Sequence, residues 1–245
     1  MAYSKYLDNS ELAEKINLAR GRVLNTSFIH KFGAVPAMSQ NQTGTVWDVN
    51  DTLYPWSALD TPGVLNIPAV NVLDNNDRVR VYGLDENYKE INEEFTLSST
   101  LTVTGTKTFS RVYRAYYFDN TTNAGNIDIR RNTTVVARIS AGKAQTLMSI
   151  YTVPAGYTGY LMQGTCTVQG GADASGNMFV RYFGQNSFRV GHAFEVSGNG
   201  GQYMYDFSVP IPLPEKTDID VRASVRSNNA RVTAAFDIIL VKGTK

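Results

Sequence analysis

The chain contains 245 residues, of which 42% are hydrophobic and 18% are charged, and its formal net charge is +1. A chain of this length and hydrophobic content can bury a substantial core, which argues against disorder over most of its length. So small a net charge gives no general attraction for nucleic acid or for an anionic membrane surface, and we therefore expect neither as a partner.

The beginning of the chain has no apolar signal-peptide core, and no segment in the sequence is long enough and apolar enough to cross a membrane. We therefore expect the protein to be made and folded in a cytoplasm. This expectation concerns synthesis alone, because a virion component is also made in the cytoplasm of its host.

One helix is predicted, over residues 10–20. Apolar side chains recur there at helical spacing between Ser10, a favourable N-cap, and Gly21, a favourable C-cap. So short a helix is marginal alone and must dock on this chain or on a partner. The following residues, to Pro68, are rich in turn formers and lack strong periodicity, which is unusual inside a compact domain. We therefore predict that residues 1–68 form an N-terminal arm with a helix and an extended segment.

Residues 69–142 are predicted to form a first β unit. Short segments rich in β-forming residues alternate there with turns rich in Asn and Gly, a spacing typical of a sandwich. The run 111–118 is one such segment, and its arginines are predicted to lie on a solvated or interface face.

Residues 143–245 are predicted to form a C-terminal β-sandwich with around eight strands, either a jelly roll or a related fold. Its clearest signal is strict two-residue alternation in 218–226 and again in 232–240, which predicts two half-buried strands and a hairpin between them. The only cysteine, Cys166, cannot form an intrachain disulfide and is expected to be a small core residue.

Catalytic, cofactor-binding and metal sites are not predicted. His30 and His192 are far apart in sequence, and no cysteine pair, metal-spaced histidine cluster or phosphate-binding glycine loop occurs. Carboxylates in 85–94 lie in a turn-like polar segment, and the acidic loop 74–77 lacks the ligand spacing of a calcium site. We interpret both as solvated turns and expect a protein that is not an enzyme.

Several segments resemble a family of virion structural proteins that is widespread in tailed bacteriophages. The resemblance covers most of the chain, and turn and strand motifs carry it, not catalytic residues. The matching segments are 28–33, 47–48, 83–85, 95–97, 151–161, 188–190, 212–219, 228–229 and 235–237. Residues 36–55 depart from the usual pattern of the family.

The resemblance implies a capsid cement or decoration protein, seated as a homotrimer on the outside of the phage head. Its partners would be the major capsid protein and further copies of itself, and its arm would bind the shell. Five aromatic residues of the predicted arm are then candidates for contact with the shell or with neighbouring subunits. They are Phe28, Phe32, Trp47, Tyr54 and Trp56.

Three other functions compete with this one. A tail, baseplate or head-tail component of the virion would use the same kind of fold. A carbohydrate-binding module would place Tyr182, Tyr203 and Tyr205 around a groove. A glycosidase is the weakest alternative, because no pair of carboxylates stands out.

Overall fold

The computed structural model describes residues 11–49, 51–119, 122–170, 172–198 and 200–243. Strands make up 54% of the structure and helix 6%, so the prediction of an all-β protein is confirmed. Within the described ranges the single α-helix is α1 (Glu11–Ala19), close to the predicted residues 10–20. No helix in this part of the chain is long and apolar enough to span a membrane.

In the described part of the chain, sixteen strands follow α1, with short 3-10 turns at Trp56–Leu59 and Val72–Asp74. The strands are β1 (Thr26–Met38), β2 (Thr43–Thr45), β3 (Asn66–Ile67), β4 (Arg78–Leu84), β5 (Glu90–Thr96), β6 (Val103–Thr104), β7 (Arg111–Tyr117), β8 (Ile127–Arg131), β9 (Thr134–Ile139), β10 (Ile150–Thr152), β11 (Tyr157–Gln169), β12 (Ala174–Arg181), β13 (Arg189–Val196), β14 (Gln202–Leu213), β15 (Asp218–Val225) and β16 (Ala230–Lys242).

Eight of these strands form two antiparallel sheets that share one hydrophobic core. One sheet has the order β1-β16-β11-β14, and the other has the order β10-β15-β12-β13, with the short β2 also paired to β15. All eight strands contribute buried side chains to the core, whose largest members include Tyr151 and Phe236. We use the name sandwich as a label for these two sheets and their shared core.

The alternation in β15 and β16 determines which side chains enter the core. Ile219, Val221, Ala223 and Val225 are all buried, as predicted, and so are the apolar residues at every second position of β16 from Val232. The predicted hairpin between the two strands is wrong, because β15 and β16 lie in opposite sheets. Alternation specifies which face of a strand is buried, but it does not specify the neighbouring strand.

The strands from β3 to β9 form a second unit, which we call the insertion. Its two sheets have the orders β6-β3-β8-β9 and β5-β4-β7, and they enclose a core of their own. The sandwich is therefore built from the first strand and the last hundred residues of the chain, and the insertion lies between its first and second strands in sequence.

The structure differs here from the predicted arm over 1–68. Residues 1–10 lie outside the described residues, but Thr26–Met38 pairs with β16 as an edge strand of the sandwich. The pairing shifts register between Val35 and Met38, where Pro36 lacks the amide hydrogen that a regular ladder needs. This irregularity, together with an edge position, removes the clean alternation by which sequence reasoning recognises a strand.

Candidate binding and interaction sites

Three of the five predicted interface residues are buried between the insertion and the sandwich. Trp47, Tyr54 and Trp56 are 2%, 3% and 5% exposed, and their rings meet edge to face with centroids 5.2 and 4.8 Å apart. Trp56 Nε1 donates a hydrogen bond to Asp220 Oδ2 of β15 at 3.0 Å. These rings therefore pack between the two units and hold them in contact. They are not available for contact with another protein.

The two remaining candidates lie on β1. Phe28 is exposed, whereas Phe32 is half-buried and packs near His30 with ring centroids 5.5 Å apart. Phe28 also lines a groove of about 680 Å³ between α1 and the sheet face that points away from the core. The structure therefore leaves Phe28 accessible, which contact with another protein would require, but it does not bring all five aromatics to one surface.

A buried carboxylate lies at the base of this groove. Asp237 of β16 accepts a hydrogen bond from Gln163 Nε2 and lies 2.5 Å from His30 Nδ1. The pairing of β11 with both of its neighbours shifts register between Leu161 and Gln163, so a bulge lies directly beside the carboxylate. A β-bulge changes the direction of nearby side chains and is common next to functional sites. The groove thus combines apolar walls with Lys15 and two carboxylates, Asp206 and Asp237, of which Asp237 is already hydrogen-bonded.

A second site is formed by charged residues where the insertion meets the sandwich. Arg111 of β7 donates to both oxygens of Asp218 on β15, from Nε at 2.8 Å and from Nη2 at 3.0 Å. Arg181 of β12 and the hydroxyl of Thr152 each add a bond to the same carboxylate at 2.7 Å. Although burial disfavours the charged guanidinium, the hydrogen bonds and the charge of Asp218 raise the pKa of Arg111 above its usual value.

Sequence reasoning placed Arg111 on a solvated or interface face, and this prediction is wrong, because the residue is only 4% exposed. Alternation cannot distinguish an arginine that faces solvent from one that faces a second packed unit. The distance in sequence between Arg111 and Asp218 leaves no local signal that could have identified the pair.

A polar cavity of about 180 Å³ opens beside this cluster, and we call it the junction cavity. Asp60, Arg111, Arg181 and Asp218 form one side of it. The other side is formed by Tyr88, Tyr182, Phe183, Gln185 and Lys216, with Gly184 and Asn186 between them. The lining residues come from both units, so the cavity exists only because the insertion and the sandwich are packed together.

The free edge of the sandwich is a third site, and we call it the open edge. It consists of β13 and β14, which are the last strands of their sheets. Val190, Met204 and Val209 are 56%, 64% and 79% exposed, although they are large and apolar. Two prolines, Pro210 and Pro212, lie in β14. Because proline has no amide hydrogen, another strand cannot add regularly to this edge, which favours contacts through side chains.

The tyrosines of the carbohydrate-binding alternative do not share a groove. Tyr182 lines the junction cavity, whereas Tyr203 and Tyr205 pack around His192 at the open edge, where His192 Nε2 lies 2.8 Å from the Tyr203 hydroxyl. His192 is thus a packed residue, as expected from its surroundings in the sequence.

The acidic loop 74–77 has a structural role at Asp74, whose carboxylate is buried and accepts the backbone amides of Ala124 and Gly125 at 2.6 and 2.9 Å. The segment 85–94 begins as a tight turn in which Asp85 accepts the amides of Asn87 and Lys89.

Among the described residues, no group of three or more His, Cys, Asp or Glu side chains is placed to hold a metal ion.

Comparison with known proteins adds no family to these observations. No protein-family model matches the chain, and a search of curated proteins finds no significant match. The resemblance to phage virion proteins therefore stays a prediction that depends on the sequence segments themselves.

Proposed function

We propose that this protein is a virion structural protein, namely a cement or decoration protein that binds the outside of a phage head and stabilises it. The observation that carries the proposal is the pairing of the eight sandwich strands. In chain order the first pairs with the eighth, the second with the seventh, the third with the sixth and the fourth with the fifth. This nested pairing is what a long hairpin rolled into a jelly roll would give, and it therefore supports the proposal of a jelly roll, an architecture that recurs in viral capsid proteins.

A homotrimer is the second part of the proposal, and the open edge supports it. Isolated exposed apolar side chains are normal on a protein surface, but two neighbouring edge strands that both expose large apolar residues form a patch that association would bury. The prolines of β14 disfavour the addition of further strands to this edge, so the copies are not expected to form a continuous sheet. A closed ring of copies in contact through side chains is the expected assembly. We assign a second copy of this chain as its occupant.

Binding to the shell would then use the surface around Phe28 and the groove beside α1. Copies arranged over a lattice multiply many weak contacts, so the contact made by each copy can be modest. Trp47, Tyr54 and Trp56 serve this function indirectly, because they hold the insertion against the sandwich.

Immunogold electron microscopy of intact particles of the virus that carries this gene tests the proposal. Antibody against the chain is expected to label the whole head, at hundreds of copies per particle. Label at the tail end, with about six or twelve copies, would instead support the tail or baseplate alternative, since such rings follow the rotational symmetry of the tail. Particles without label, checked after mild disruption to expose hidden copies, would refute both.

A further inference from the structure

We propose that the junction cavity binds a sugar acid, that is, a single monosaccharide unit that carries a carboxylate. This inference goes beyond a structural role in a virion and does not depend on it. It is based on the charges that line the cavity, on two strained backbone positions in its wall, and on an acceptor atom that has no partner.

The charges around the cavity favour an anion. Arg111, Arg181 and Lys216 are cationic, and only Asp60 and Asp218 oppose them. Asp218 is buried and fully engaged by the two arginines and a threonine hydroxyl. Asp60 is half exposed and lies 3.4 Å from the Nη2 atom of each arginine, so it holds them only weakly. A ligand carboxylate could take these guanidinium donors in a stronger, charge-assisted geometry.

Lys216 has no carboxylate partner within the described residues. Its ammonium group lies 5.6 Å from the ring centre of Tyr88 and 4.5 Å from that of Phe183. These rings attract the cation but leave its three donors without an acceptor of full charge. A bound carboxylate would supply that acceptor at the mouth of the cavity.

The backbone at Tyr88 and Lys216 supports a functional role for this wall. Both residues have positive φ, at 59° and 61°, in the left-handed region that residues with a side chain rarely adopt. Apart from Ala144, every other non-glycine residue with positive φ in the described structure is Asn or Asp, which tolerate this conformation. Tyr88 and Lys216 are neighbouring bulky residues that both adopt this unfavourable conformation. Backbone strain of this kind is common at ligand-binding sites.

The remaining lining distinguishes a sugar acid from a simple inorganic anion. Gln185 lines the cavity, and its Oε1 is buried without a hydrogen-bond partner in the described structure, so it can accept a hydroxyl hydrogen. Phe183 meets Tyr88 edge to face at 5.6 Å and is 61% exposed, so the part of its ring that Lys216 leaves uncovered offers an apolar surface for the C–H face of a sugar ring. A volume of about 180 Å³ corresponds to roughly six water molecules, which suits one ring.

Isothermal titration calorimetry with the full chain tests the proposal at constant ionic strength. D-Glucuronate is the probe, D-glucose tests whether the carboxylate is needed, and acetate tests whether the ring is needed. We expect glucuronate to bind at least about tenfold more tightly than either control, because each lacks one set of contacts. Equal binding of glucose or of acetate, or no heat with glucuronate up to ~20 mM, would overturn the proposal.

Two substitutions with opposite expected effects locate the site. Lys216→Gln should weaken glucuronate binding about tenfold, because it removes one charge-assisted bond. Asp60→Asn should strengthen it severalfold, because it removes the like-charged competitor for the arginines. Lys242→Gln, at an exposed lysine far along β16, is the matched control and should change nothing. Unchanged affinity in both cavity variants, with circular dichroism spectra like that of the original protein, would refute the assignment.

Discussion

Asp48 should make the stability of this protein fall as the pH rises from about 4 to 6. Its carboxylate is buried, and it accepts hydrogen bonds from the Ser140 hydroxyl at 3.0 Å and from the Leu147 amide at 2.5 Å. Burial raises the pKa of Asp48 to about 6, against the pull of these hydrogen bonds and of two nearby cations. The ordinary value for an unfolded chain is about 3.9.

The folded protein therefore holds the Asp48 proton more tightly than the unfolded chain does. The stabilisation that this proton gives is complete below about pH 4 and is lost as the pH rises through about 6. A difference of about 2 pH units, at 1.36 kcal/mol for each, amounts to roughly 3 kcal/mol. Asp48→Asn has almost the same shape and stays neutral, so it should remove this loss and be more stable than the original protein at pH 7.

Urea unfolding of both proteins between pH 3.5 and 7.5 measures the effect. The difference in the free energy of unfolding should grow with pH between 4 and 6 and then level off. Asp206→Asn, which removes an exposed carboxylate, controls for the change in net charge. The free energies of unfolding of the Asp48→Asn variant and of the original protein could instead differ by the same amount at every pH. That result would show that ionisation of Asp48 does not destabilise the folded protein.

Three further outcomes follow from the structure. Arg111→Met should lower the free energy of unfolding by about 3–5 kcal/mol, because it leaves Asp218 buried with too few partners, whereas Arg80→Met at an exposed, solvent-screened ion pair should lower it far less; similar losses in chemical denaturation would contradict the role given to the junction. Val209→Asp at the open edge should convert the proposed trimer to monomers in sedimentation velocity, while Leu73→Asp, similarly exposed on the insertion, should not; monomers in the original protein would refute the proposed assembly. Cys166 is buried, which raises the pKa of its thiol to about 12, so it should react with a thiol reagent only after denaturation.

Local patterns predicted the elements whose signals are local. The helix at Glu11–Ala19 follows from its capping residues and its spacing, and the buried faces of β15 and β16 follow from strict alternation. The partner of each strand could not be predicted in this way. Thr26 pairs with Val241, and nothing within either segment encodes a contact across so much of the chain.

The candidate sites depended even more on distant contacts. The aromatic residues around Trp47 have the composition of an interface, and they do form one, but it is internal to the chain. The junction cavity gathers Asp60, Tyr88, Arg111 and Lys216 from separate parts of the sequence, and no short motif connects them. Residue types alone therefore indicated which residues form contact surfaces. They did not indicate whether those surfaces contact another part of this chain or another protein.

The pairing of the first strand with the last has a consequence during synthesis. β1 leaves the ribosome roughly 200 residues before its partner β16. At translation rates of about 5–20 residues per second, β1 waits roughly ten to forty seconds for that partner. The strands of the insertion emerge in the meantime with their own core nearly complete. The order of synthesis thus favours an insertion that folds first and a sandwich that closes only after β16 has emerged.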